Sequence, residues 1–177
     1  EITAGVAYGE PFESATAGVR LEGEGARLEN IQVTKGGGRG TGAAFVGWNG
    51  TYSFNFDGRS IAAESLAAAQ KSPRPIAGII DFTAGGSGTF QSPRYDVRTT
   101  IRDVFVADEG IGQIVGNLSV DNDLLTVRFE AASPRLAVSG SGRIALTPEL
   151  DTELTITVSD TSLDPYVRAF RPQLSPY

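Results

Sequence analysis

An all-β fold is predicted by three features of this 177-residue chain. Apolar and polar residues alternate with period two from one end to the other, the polar partners are rich in Thr and Ser, and turn-forming pairs punctuate the alternating runs. Period two sends successive side chains to opposite faces of a strand, and Thr suits the pleated backbone. Short connections favour an antiparallel meander over crossovers.

Gly36-Gly37-Gly38-Arg39-Gly40-Thr41-Gly42 reads as a strand turn or bulge that needs small residues. Trp48-Asn49-Gly50-Thr51 carries the Asn-Gly pair of a two-residue type I′ hairpin. The strand that follows places Tyr52, Phe54 and Phe56 on one face against Ser53 and Asn55 on the other. Ser60 to Gln70 is rich in Ala and Leu, with Ser60 as a cap, and predicts a short helix that Pro73 and Pro75 end. Tyr95, Val97 and Thr99 before Ile101 resume the alternation. Asp108-Glu109-Gly110 and Asp121-Asn122-Asp123 read as turns. Leu125, Val127 and Phe129 alternate with Thr126, Arg128 and Glu130; Leu136, Val138, Ile144 and Leu146 continue the pattern. Leu154, Ile156 and Val158 alternate with Thr155, Thr157 and Ser159. A second short helix is expected over Thr161–Phe170, with Pro165 in its first turn and Pro172 after it.

Composition excludes a good deal of chemistry. Cys and His are absent, so there is no disulfide, thiolate nucleophile, imidazole base or His/Cys zinc site. Fifteen Lys+Arg against 21 Asp+Glu give a net charge of -6, which argues against a nucleic-acid partner. No apolar run approaches the ~18 residues of a membrane-spanning helix, and the N-terminus carries no leader pattern. The absence of Met marks a processed chain or an excised piece.

Motifs that invite chemistry have plainer explanations. The Gly-rich run lacks the Lys-Ser/Thr of a phosphate loop. Asp121-Asn122-Asp123 resembles the start of a calcium loop, but Thr126 and Ala132 stand where Gly and Glu are required. Asp57, Glu64, Asp81, Asp96, Asp103 and Glu130 could meet in a cleft, yet no spacing selects a pair for acid–base work. Lys35 and Lys71 lie outside any Ser-x-x-Lys pattern. Asn49 and Asn117 head glycosylation sequons, and the hairpin accounts for the first. No catalytic residue, metal or cofactor is expected, and the chain is not read as an enzyme.

The strands offer far more apolar face than two short helices can cover. Either two sheets pack as a closed sandwich, serving as a scaffold or adhesion domain, or one curved sheet keeps its apolar face as a groove. A carbohydrate-binding module built on an exposed Trp48 is a further alternative. Gly50–Ile61 also aligns with Thr152–Leu163, at an offset near one hundred residues, which suggests repeat units of about 1–72 and 73–177.

Ser159-Asp160-Thr161-Ser162-Leu163-Asp164-Pro165-Tyr166-Val167-Arg168-Ala169-Phe170, with Leu174-Ser175-Pro176-Tyr177 after it, resembles the TamB/AsmA-like family of envelope proteins. So does Leu28-Glu29-Asn30-Ile31-Gln32-Val33 running into a Gly-rich strand, as does the recurring order of strand, Gly-x-Gly, strand and short Ser-Leu segment. The resemblance implies a U-shaped antiparallel sheet of many strands whose apolar trough carries phospholipid between inner and outer membranes, or assists outer-membrane protein assembly. It further implies a location in the periplasm of a Gram-negative-type envelope. An inner-membrane anchor and a TamA-like barrel partner would engage regions outside these residues, which read as a middle or C-terminal slice. Acyl chains would then lie on Tyr52, Phe54, Phe56, Leu125, Val127, Phe129, Leu154, Ile156 and Val158. Burial of each methylene contributes about 0.8 kcal/mol without direction, so a chain could slide.

Overall fold

The structure is a computed structural model that describes residues 1–7, 9–133, 136–148 and 151–159. Among the described residues it is one open antiparallel sheet of eleven strands in strict chain order, the meander that the short turns predict. The strands are β1 (Ile2–Ala7), β2 (Glu10–Leu21), β3 (Gly25–Lys35), β4 (Gly38–Gly47), β5 (Thr51–Ala62), β6 (Ile76–Thr89), β7 (Arg94–Val106), β8 (Glu109–Asp121), β9 (Leu124–Ser133), β10 (Leu136–Ala145) and β11 (Thr152–Ser159). No second layer faces them among the described residues, so these residues build a single sheet and not the closed sandwich of the alternative reading.

Turn chemistry sets the register. The tight turn between β3 and β4 uses Gly36 and Gly37, at φ 54° and 72°, which is the double positive φ of a type I′ hairpin. The Gly-rich run is therefore a hairpin, and the Gly36 amide is held by the Glu13 carboxylate at 2.8 Å. Asn49-Gly50 is a hairpin too, but not the two-residue form expected. Only Gly50 has positive φ (82°), and three residues separate β4 from β5. Asn49 is kept out of the left-handed region because its Oδ1 accepts from the Thr51 amide and hydroxyl at 3.1 and 2.7 Å. Ala107 (φ 53°) and Asn122 (φ 55°) head the two-residue turns into β8 and β9.

Bulges bend the strands. Registers slip within β3, β5 and β7 next to Asn30, Ser60 and Asp103, whose φ values are 51°, 55° and 52°. Each inserts an extra residue, raises the local twist and curves the sheet. The buried hydrophobic residues Ile31, Ile61, Ala63, Ile80, Val104, Ile111, Val120 and Ala131 all belong to the apolar face or cluster with it, so the core lies on that side of the sheet.

The helix expected over Ser60–Gln70 is mostly not helix. β5 runs on to Ala62, with Ile61 opposite Ile80 and Ala62 opposite Ile79. Ladder bonds and burial of Ile61 outweigh the local helix propensity of the Ala-rich run. Helical turns remain only at Ala63–Ser65 (3-10) and α1 (Ala67–Gln70). Leu66 between them packs on the Ile61–Ala63–Ile80 cluster, so this connection covers one margin of the apolar face. The helix expected over Thr161–Phe170 lies outside the described residues.

Candidate functional site

Residues directly opposite one another in adjacent strands share a face, so the register defines the site. One row crosses the sheet as Val33, Gly40, Gly58, Phe82, Thr99, Gly116, Phe129, Gly140 and Ile156. The next is Ile31, Gly42, Phe56, Ala84, Val97, Leu118, Val127, Gly142 and Leu154. Beyond it run Leu28, Ala44, Phe54, Gly86, Tyr95, Val120, Leu125, Ile144 and Thr152. On the other side, Ile61, Ile80, Ile101, Ile114, Ala131, Val138 and Val158 form a shorter row. Val46, Tyr52 and Gly88 extend the face at its far margin. Through these rows the face is apolar apart from Thr99, Thr152 and the Tyr hydroxyls.

All nine residues singled out from the sequence stand on this one face. Phe129 and Ile156 share the first row; Phe56, Val127 and Leu154 share the second; Phe54 and Leu125 share the third; Val158 is in the short row and Tyr52 at the far margin. Sequence reasoning omitted the contributions of β3, β4, β6 and β8, notably Phe82, Leu118 and Val120. It also omitted Phe90, which lies in a turn and has no alternation to mark it.

The two margins of the face differ. At the margin bearing Gly36, Ser60 and Ala107, two hydrophobic clusters form: Ile61, Ala63 and Ile80 with Leu66, Phe82 and Ile101, and Val104, Ile111 and Ala131 with Ile114 and Val138. Lys35 reaches into this end. Its Nζ donates to the Pro11 and Ser65 carbonyls and pairs with Glu10 at 3.2 Å. At the opposite margin the face is open. Tyr52 stacks with Phe54 and Phe90 at centroid distances of 6.1 and 5.6 Å, and Phe90 is 65% exposed. A hollow of about 630 Å³ lies there, lined by Val46, Tyr52, Phe54, Ala84, Phe90, Pro93, Tyr95 and Val97 among others. The Tyr52 hydroxyl accepts from the Arg94 amide at 3.0 Å, which fixes the ring at the rim.

The other face is mostly polar, although Phe45, beneath the Arg27 guanidinium, and Val115, opposite Glu130, also lie on it. A hollow of about 570 Å³ between Asn117, Arg128, Glu130, Ser141 and Thr157 is lined by exposed side chains on that side. Ion pairs join Arg94 to Asp121 at 2.9 Å, Arg102 to Asp81 at 2.8 Å and Arg59 to Asp57 at 3.4 Å. The acids considered for catalysis are dispersed: Asp57 stands opposite Thr83, Asp96 opposite Gly85 and Ser119, and Glu130 opposite Val115 and Ser139. Asp81 accepts from the Ser60 amide and from Arg102, and these bonds hold its carboxyl below the usual range, the amide having the larger effect. Glu10 is lowered in the same way, first by the Ala67 amide and then by Lys35. Trp48 sits in its hairpin turn, 63% exposed. No group of three His, Cys, Asp or Glu side chains could hold a metal ion among the described residues, and no described helix is long and apolar enough to cross a membrane.

No protein-family model matches the chain, and neither a curated protein nor a solved structure matches it.

Proposed function

We propose that the apolar face is a trough for the acyl chains of phospholipids, and that the chain acts as a conduit segment, without catalysis, in a periplasm of the Gram-negative type. The observation that carries this reading is the unbroken apolar ladder from β3 to β11, which no second layer covers among the described residues. A water-exposed face of this extent is costly, and an exposed patch larger than a few hundred Å² marks an interaction surface. Its width along the strands, several rows, suits extended hydrocarbon. Because the charged groups lie on the outer face and the apolar one carries only the Thr99, Thr152 and Tyr hydroxyls, the trough offers mainly non-directional attraction, and a lipid can be displaced along it. In the same reading, the inner-membrane anchor belongs to another part of the protein.

Photo-crosslinking in cells tests the reading, with benzoylphenylalanine in place of Phe54 or Ile156 on the apolar face and of Ser53 or Thr155 on the polar one. Capture of phospholipid from the two apolar positions, and not from the polar ones, is the expected result. Equal yields from both faces, or no capture from a folded protein, would make the open face a scaffold surface instead.

A further inference from the structure

The glycines of the apolar face pair with its aromatic rings. Gly58 stands opposite Phe82, and Gly140 opposite Phe129. Neither glycine has positive φ, so backbone conformation does not require glycine at either position. A methyl group on Gly58 would approach Cδ1 and Cζ of Phe82 to 2.5 and 2.8 Å, with Cε1 nearer still. On Gly140 it would approach Cζ and Cδ1 of Phe129 to 2.5 and 3.2 Å, again with Cε1 nearer. Carbon atoms in contact settle at about 3.5–4.0 Å. In both cases the three nearest atoms are all ring atoms. Each ring therefore lies flat across the neighbouring strand, over the place where a side chain would stand. Gly42 and Gly86 differ: a methyl there would meet a backbone carbonyl first, that of Asn55 or Arg94, with Phe56 and Phe54 farther off at 2.7 and 2.9 Å, so of these four only Gly58 and Gly140 are closed by a ring alone.

We infer that Gly58 and Gly140 set the clearance of the trough. They let Phe82 and Phe129 lie down, so that the middle row is a low, smooth floor. The proposal rests on the lipid reading above and narrows its ligand class to slender, flexible acyl chains, taken without regard to headgroup. A ring lying flat raises the floor by one van der Waals layer, whereas a ring forced upright projects its length into the trough. The floor also lacks a polar anchor: Thr99 supplies the one hydroxyl of this row, and it donates to the Asp81 carbonyl at 3.2 Å. A rigid polycyclic ligand oriented by a hydrogen bond finds nothing to hold it in this row, while a hydrocarbon chain needs only contact.

Gly140→Ala is the informative change. The obstacle to the new methyl is the far end of a movable side chain, so the Phe129 ring can swing up and the fold can be kept. Alanine is also the better strand residue, by about 0.5–1 kcal/mol over glycine in a strand interior, so the variant should be no less stable than wild type. The test is lipid capture from benzoylphenylalanine at Ile156, which lies next to Gly140 in the same row. Capture should fall about fourfold for each methylene lifted from the floor, the ratio carried by one buried CH2. The double variant Gly140→Ala/Phe129→Ala removes the raised ring and should restore capture. Binding of a dansyl-labelled undecanoic acid to the purified protein should follow the same order, with a fluorescent sterol binding at least tenfold more weakly to all of them. Wild-type capture that Gly140→Ala leaves unchanged, a double variant that fails to recover, or equal sterol binding would each overturn the inference while leaving the trough. Absence of capture in the wild type would overturn both. Should Gly140→Ala unfold, Gly58→Ala with Phe82→Ala asks the same question with the probe at Val97.

Discussion

Asp81 stitches two bulges together, and its removal has a calculable effect. One carboxylate oxygen accepts from the Ser60 amide at 2.8 Å, the bulge amide of β5. The other accepts from Arg102 at 2.8 Å, beside the bulge residue Asp103 of β7. The Asp81 side chain is 21% exposed and that of Arg102 49%. A hydrogen bond to a charged group contributes about 1.5–3 kcal/mol when sheltered, and a surface ion pair about 0.2–1 kcal/mol. Discounted for this exposure, Asp81→Ala should cost about 2 kcal/mol. At this chain length that lowers Tm by about 4–8 °C. Asp81→Asn keeps an oxygen for the Ser60 amide and should cost less than half as much. The carboxyl is held below its ordinary value of 3.8, so its stabilising effect is complete above that value and is lost as pH falls through the lower, folded-state one. Urea titrations at pH 7 and at successively lower pH therefore should show the wild-type advantage over Asp81→Asn shrinking below about pH 4. An Asp81→Ala variant within about 0.3 kcal/mol of wild type at pH 7, or one no worse than Asp81→Asn, would refute the role given to the bulge amide.

Two further substitutions probe the margins of the face. Lys35 is 12% exposed along its side chain and serves two carbonyls and Glu10, so Lys35→Met should cost about 1–3 kcal/mol. Amide exchange in Ala63–Gln70 should rise with it, because the Ser65 carbonyl and the Glu10 carboxylate on the Ala67 amide lose their common partner. Tyr52→Phe keeps the aromatic ring but removes the acceptor of the Arg94 amide; a loss of about 1 kcal/mol in denaturant titration is expected.

Period two is a local property, which is why the face was legible before any pairing was known. Tyr52, Phe54 and Phe56 must point the same way if the segment is a strand at all, and the same holds for Leu154, Ile156 and Val158. The meander followed from turn residues placed between such runs. What required the structure was everything decided across strands. The bulges at Ser60 and Asp103 leave no local mark, because a serine or aspartate at positive φ is imposed by register slips and, at Ser60, by a carboxylate 21 residues away. The segment over 60–70 read as helix because Ala propensity is visible locally and the pull of Ile80 on Ile61 is not. Gly40 and Gly42 carry a usable signal that passes for turn chemistry: like Gly140 and Gly142, they are spaced by two within an alternating run, which puts each pair on the apolar face.

Stability and exposure divide along the length of the strands. At the bulged margin the row Ile61, Ile80, Ile101, Ile114 and Ala131 belongs to the two clusters, Leu66 packs on the first of them, and Ile61 and Ile80 are 7% and 8% exposed. At the opposite margin Phe90 and Trp48 stand 65% and 63% exposed, and Tyr52 and Phe54 line an open hollow. A sheet that had to bury its whole apolar face to fold could not leave half of it to a ligand. This one places most of its buried residues and its Lys35 and Asp81 pins at one margin, with Val120 as the buried residue of the other, so the open rows contribute less to folding than their hydrophobicity suggests. The flat rings fit that division. A phenylalanine laid over a neighbouring glycine shields backbone bonds from water on one side and shows hydrocarbon on the other, so it supports the ladder and lines the trough at once. An upright ring would gain no more ladder protection and would obstruct the floor. The glycine–phenylalanine pairs are thus where the requirements of an open sheet and of a conduit meet, and where one methyl group should separate them.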